Sequence, residues 1–131
     1  MPQDKAKILL VDDDKVFCDM YKLRLEASSY DVVIVEDGEK ALVSAMKEKP
    51  DIILLDVMMP KINGLDTLDI LKSTPETKNI PVIILTALLK DVNEARGLMA
   101  GAAGYLVKSE VTPAQVVEKI EDTIQKSKIK K

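Results

Sequence analysis

Five short apolar runs punctuate the chain: Ile8–Val11, Val32–Val35, Ile52–Leu55, Val82–Leu85 and Ala102–Val107. Most consist of Val, Ile and Leu without polar alternation, the pattern of parallel strands covered on both faces. Apolar residues three and four apart fill the intervening segments. Val16, Met20, Leu23 and Ala27 predict one helical stripe; Leu42, Ala45 and Met46 predict a second; Leu65, Leu68 and Leu71 predict a third. Val92, Ala95 and Met99 predict a fourth helix, and Val116, Val117, Ile120 and Ile124 a fifth.

Local punctuation sets the limits of these elements. Asp37 is placed to cap the second helix, and Asp91 with Glu94 the fourth, which Gly101 would close in a left-handed conformation. Thr112-Pro113-Ala114-Gln115 supplies an N-cap, a proline at the first helical position and a glutamine at the third. Pro75, Pro81 and the polar run between them part the third helix from the fourth strand. The expected fold is α/β: (βα)5, a doubly wound, parallel five-stranded sheet with helices on both faces.

Composition narrows the chemistry. The 131 residues suit one domain, and 19 Lys and Arg against 22 Asp and Glu give a net charge of −3. Four of the lysines fall in the last six residues, so the body is more acidic still. Direct nucleic-acid binding, which needs a clustered basic face, is not expected. Histidine is absent, which excludes Ser-His-Asp and Cys-His catalysis and His-ligated zinc within these residues. Cys18, the lone cysteine, allows no internal disulfide and suggests a reducing compartment. No apolar run reaches the ~20 residues of a membrane span, and the N-terminus lacks a signal peptide's apolar core. A soluble, cytoplasmic domain without membrane contact is the expectation.

In an open α/β sheet the functional crevice lies at the carboxyl ends of the strands. Strand one there runs into Asp12-Asp13-Asp14, strand three into Asp56, strand four into Thr86 and strand five into Lys108. Asp12, Asp13 and Asp56 together with Lys108 leave a charge of −2, which one divalent cation would neutralise. Mg2+ suits such a set because it takes oxygen ligands, often one or two carboxylates with water and phosphate oxygens. Beside such a cation, an aspartate can attack an anionic phosphoryl group that would otherwise repel it.

These segments carry a resemblance. Ile8-Leu9-Leu10-Val11-Asp12-Asp13-Asp14, Asp51 to Pro60, Gly64, Val82 to Ala87, and Ala100 to Lys108 look like the receiver domain of bacterial two-component response regulators, the CheY-like superfamily. Any one motif is weak, but five in order at the ends of alternating strands are specific. The resemblance covers about residues 6–125, between a short N-terminal extension (1–5) and a basic tail (126–131). It implies a flavodoxin-like strand order 2-1-3-4-5 and a signalling switch that catalyses only its own phosphorylation and dephosphorylation. Asp56 would accept the phosphoryl group from a sensor histidine kinase or a histidine phosphotransfer protein. Asp12, Asp13, Asp56 and the Met58 carbonyl would hold Mg2+. Lys108 and Thr86 would contact the phosphoryl oxygens, and Tyr105 would turn inward with Thr86 as the switch. The responding surface would comprise the fourth helix, fifth strand and fifth helix, about Asp91–Ala100, Ala102–Val107 and Thr112–Gln125. It would act on a downstream protein target or a fused output domain, as a monomer or a phosphorylation-dependent dimer. Receivers usually place proline after the lysine through a cis bond. Here Ser109 follows Lys108, so a trans peptide is expected, since a non-proline cis bond costs ~2.5–4 kcal/mol.

Three other readings compete. A non-phosphorylated pseudo-receiver used only for protein interaction would not need Asp12, Asp13, Asp56, Thr86 and Lys108 all intact. A flavodoxin-like electron carrier must welcome a flavin phosphate after strand one, where three aspartates would repel it. An aspartate-based phosphohydrolase normally carries a second acid two residues after its nucleophile, where this chain has Met58.

Overall fold

A computed structural model describes residues 6–58, 63–87 and 100–129. The apolar runs form strands β1 (Lys7–Val11), β2 (Asp31–Val35), β3 (Ile52–Leu55), β4 (Val82–Thr86) and β5 (Gly104–Val107). Helix α1 (Lys15–Ala27) follows β1, α2 (Gly38–Glu48) follows β2, and α3 (Gly64–Ser73) follows β3. After β5 come a 3-10 turn (Lys108–Glu110) and the C-terminal helix (Pro113–Ile129). The strands are parallel in the order β2-β1-β3-β4-β5, as the resemblance implies.

The side-chain alternation of β1 divides the interior in two. Ile8 and Leu10 face one way and pack with Cys18, Tyr21 and Leu25 of α1 and with Val116 and Ile120 of the C-terminal helix. Leu9 and Val11 face the other way, onto Ala41 and Ala45 of α2 and Leu68 and Leu71 of α3. Every residue of β3 and β4 is buried, and each fully buried Leu or Ile contributes ~1.5–3 kcal/mol. The edge strand β2 is only half covered.

Capping acts as expected where it is described. Asp37 accepts from the Lys40 amide at 2.9 Å. Thr112 accepts from the Gln115 amide at 3.2 Å while Gln115 accepts from the Thr112 amide at 2.9 Å, a reciprocal capping box. Asp14 starts α1 in the same way, through the Phe17 amide at 3.1 Å. The fourth helix, with Val92, Ala95, Met99, Asp91 and Glu94, lies outside the described residues. Gly101, expected to close it, has φ +107°, in the region that favours glycine.

Three expectations require correction. The stripe Val16, Met20, Leu23 and Ala27 does not face the core: all four are exposed, Val16 by 80% and Leu23 by 72%. The buried face of α1 is Cys18, Tyr21 and Leu25, flanked by Phe17. Both sets obey helical spacing, on nearly opposite faces of α1, and the aromatic and thiol side chains bury the better-filled face. On α2, Met46 is likewise exposed while Ala41 is buried. Strand β5 begins at Gly104 rather than Ala102, because the Ala103 amide donates to the Val82 carbonyl (2.7 Å) before regular pairing starts.

Gly64, the first residue of α3, lies directly against the turn after β3. Its amide donates to the Val57 carbonyl at 3.1 Å, and a Cβ there would fall 2.2 Å from the Asp56 carbonyl oxygen and 2.4 Å from the Val57 Cα. Backbone atoms cannot yield as a flexible side chain does. Gly64→Ala is expected to destabilise the fold by about 1–3 kcal/mol and to displace the Asp56 turn, as urea unfolding and the Asp56 amide resonance will register.

Candidate functional site

The carboxyl edge of the sheet gathers its acids through the strand ladder. The Asp12 amide donates to the Val35 carbonyl of β2 (3.1 Å), and the Asp56 amide to the Val11 carbonyl of β1 (3.0 Å). Both aspartates therefore stand on neighbouring strand ends with their backbones tied to the sheet. One carboxylate oxygen from each of Asp12, Asp13 and Asp56 lies within 4.8 Å of the others. Asp12 and Asp56 are buried, whereas Asp13 is exposed.

Each buried carboxylate is held at two points. Asp12 accepts from the Asp14 amide at 2.9 Å and pairs with the Lys108 ammonium at 2.8 Å. Asp56 accepts from the Met58 amide at 3.1 Å, and its other oxygen lies 3.8 Å from the same ammonium. Burial pushes the Asp12 carboxyl above its ordinary value; the Lys108 and Asp14 hydrogen bonds oppose that rise and the Asp56 charge adds to it. Three converging carboxylates against one ammonium make a hard, oxygen-only donor set carrying excess negative charge, which fits a divalent cation such as Mg2+.

Thr86 ends β4 fully buried, in register with Val107, the residue before Lys108. Tyr105, on β5, is 4% exposed and belongs to the core cluster that includes Leu55, Val57 and Ile84. Of the expected site residues, Asp12, Asp13, Asp56 and Lys108 are thus brought together. Thr86 stands at the same edge of the sheet, and Tyr105 lies inside it. Met58 contributes its amide to Asp56, and its side chain is exposed. The described residues contain no cis peptide, so Lys108–Ser109 is trans as expected.

One contact escaped the sequence reading. The Lys108 ammonium sits 3.9 Å from the centroid of the Phe17 ring, which stacks on Tyr21 at 4.4 Å. A cation over an aromatic face gains ~0.5–2 kcal/mol, so Phe17 steadies the lysine between the two acids. The available signal was the chain's only phenylalanine, one helical turn past Asp13–Asp14 and next to the aliphatic stripe that begins at Val16. Cys18 is no rival nucleophile: burial, with the Asp12 charge, pushes its thiol up to about 12.

Comparisons with known proteins bear on the family and the fold. A family model for the response regulator receiver domain matches residues 8–121. The alkaline phosphatase synthesis transcriptional regulatory protein PhoP of Bacillus subtilis is 37% identical over 123 residues, 94% of this chain and 50% of that protein. The transcriptional regulatory protein CpxR of Escherichia coli is 46% identical over 102 residues, 78% of this chain and 42% of that protein. The chain thus spans about half the length of the curated relatives it matches. A crystal structure of a CheY-like response regulator receiver domain protein from Methanospirillum hungatei superposes with a TM-score of 0.90 at 26% identity, covering 98% of this chain and all of that one. No helix among the described residues is long and apolar enough to cross a membrane.

Proposed function

Because the chain belongs to the response regulator receiver domain family, the signalling switches of two-component systems, we propose that Asp56 is its phosphoacceptor. The observation that carries this is the convergence of Asp12, Asp13 and Lys108 on the Asp56 carboxylate. Asp56 attacks the phosphorus of a phosphohistidine; a P–O bond forms as the P–N bond breaks, leaving the imidazole on the donor. These 131 residues contain no histidine, so the donor histidine lies outside them, on a histidine kinase or a phosphotransfer protein. Asp12, Asp13 and Asp56 with the Met58 carbonyl would hold Mg2+, which would supply charge neutralisation at the phosphoryl oxygens. The Met58 amide fixes the Asp56 rotamer, and Lys108 neutralises charge spreading over the phosphoryl oxygens. Thr86 donates its hydroxyl to the phosphoryl group in the activated state, while Tyr105 holds the inward position. Activation then works through β5 and the flanking C-terminal helix on a downstream partner or output domain.

The exposed face of α1 supports a place for the donor. Val16, Met20 and Leu23 form an uncovered apolar stripe on the helix that leaves the acidic turn, so a helix of the donor packed there brings its histidine towards Asp56. With acetyl phosphate and Mg2+ the chain should gain one phosphoryl group by mass spectrometry, labile as an acyl phosphate. No gain would overturn the proposal and favour the interaction-only module. Leu23→Glu should slow transfer from a phosphohistidine donor about tenfold or more and leave the acetyl phosphate reaction unchanged.

A further inference from the structure

At the opposite edge of the sheet, a half-open cleft of about 450 Å3 lies between α3, the segment leading into β4, the turn before β5 and the C-terminal helix. We infer that this cleft binds a small, soluble polyphosphate anion, through Lys72, Lys78 and Lys119. The inference stands apart from the phosphoacceptor reading, since it uses none of those residues.

Charge is the first argument. Lys72, Lys78, Lys119 and Lys126 line the cleft against one acid, Asp122, in a chain whose net charge is −3. Asp122 is engaged by Lys126 at 3.1 Å. Among the described residues, the other three lysines have no carboxylate within ion-pair distance, leaving a local charge of about +3 that a lone carboxylate would not balance. Pyrophosphate or the polyphosphate of a nucleotide carries that much charge on a compact frame.

The cleft is also built. Lys72 donates to the carbonyls of Ile80 (2.8 Å) and Lys78 (3.2 Å), which directs its ammonium and leaves one of its three N–H donors for a ligand. Its stem runs under Gly101, where an added Cβ would meet the Lys72 Cγ at 3.2 Å. The Lys119 stem crosses Gly104 so closely that a Cβ there would lie 2.7 Å from its Cε. Gly101, in the cleft wall, and Gly104, at the start of β5, thus make room for two lysine stems. Burial pushes the Lys72 ammonium below its ordinary pKa, and an anion beside it would reverse that penalty. A lipid headgroup offers similar phosphate chemistry, but no exposed large apolar residue lines the cleft to meet acyl chains.

The test is a pyrophosphate titration in EDTA, which keeps metal–pyrophosphate away from the acidic site, followed through the amide resonances of Gly101 to Ala103. Saturable one-site binding is expected. The double variant Lys78→Gln/Lys119→Gln should weaken it about tenfold or more, while Lys22→Gln/Lys47→Gln, at exposed lysines outside the cleft, should not. Thermal melts of both variants check that the fold is intact. Absence of saturation, or equal loss in the control variant, overturns the inference. So does binding to phosphatidylglycerol vesicles that pyrophosphate fails to displace.

Discussion

Asp56→Asn will take up no phosphoryl group from acetyl phosphate and Mg2+ under conditions that load the unaltered chain to completion. The substitution keeps the shape of the side chain and an oxygen to accept from the Met58 amide, now 3.1 Å from Asp56. What disappears is the anionic oxygen that attacks, and an amide oxygen does not replace it as a nucleophile. The loss should therefore be complete, with no compensating fall in stability. Intact-protein mass and urea unfolding, measured together, separate the two effects. A variant that still gains one phosphoryl group would move the acceptor to another carboxylate, with Asp13, exposed within the same cluster, first in line.

Without a divalent cation, the buried acids should cost the fold stability in a pH-dependent way. Burial raises the Asp12 carboxyl above 3.8, so between 3.8 and the raised value the folded state holds a proton that the unfolded chain has released. In that window stability falls as pH rises, and the loss persists at neutral pH. Asp12→Asn keeps one acceptor oxygen, for the Asp14 amide, gives up the ion pair with Lys108, and has no carboxyl group to ionise. In EDTA the variant should gain stability relative to the unaltered chain as pH increases through the window. Mg2+ should reverse the order by stabilising the unaltered chain selectively, by ~2.7 kcal/mol at a hundredfold excess over its dissociation constant. Urea midpoints of both proteins across pH, with EDTA and with Mg2+, decide the matter. Parallel curves in EDTA would mean that Asp12 carries no burial penalty.

Much of this architecture was legible because buried parallel strands have an unmistakable composition. Ile52–Leu55 and Val82–Leu85 have apolar side chains on both faces, and their carboxyl ends point to Asp56 and Thr86 without any tertiary information. Helix orientation was harder. On α1 two stripes on nearly opposite faces satisfy the same period, and the choice between Val16-Met20-Leu23 and Cys18-Tyr21-Leu25 depends on which set fits the groove beside Ile8 and Leu10. Periodicity holds no information about that fit. The same ambiguity concealed Phe17, whose role follows from where α1 lies relative to Lys108, ninety-one positions later in the chain. The lysine cleft was invisible for a similar reason: Lys72, Lys78 and Lys119 sit on separate elements and share no motif.

The ladder bonds that tie the Asp12 amide to Val35 and the Asp56 amide to Val11 have a broader consequence. They make the separation of the two acids a dimension of the sheet itself, fixed by inter-strand spacing rather than by loop length. Insertions in the connections at the far edge leave that ruler untouched. Lineages can therefore remodel helices and outer turns to suit new signalling companions while inheriting the same chemical gauge.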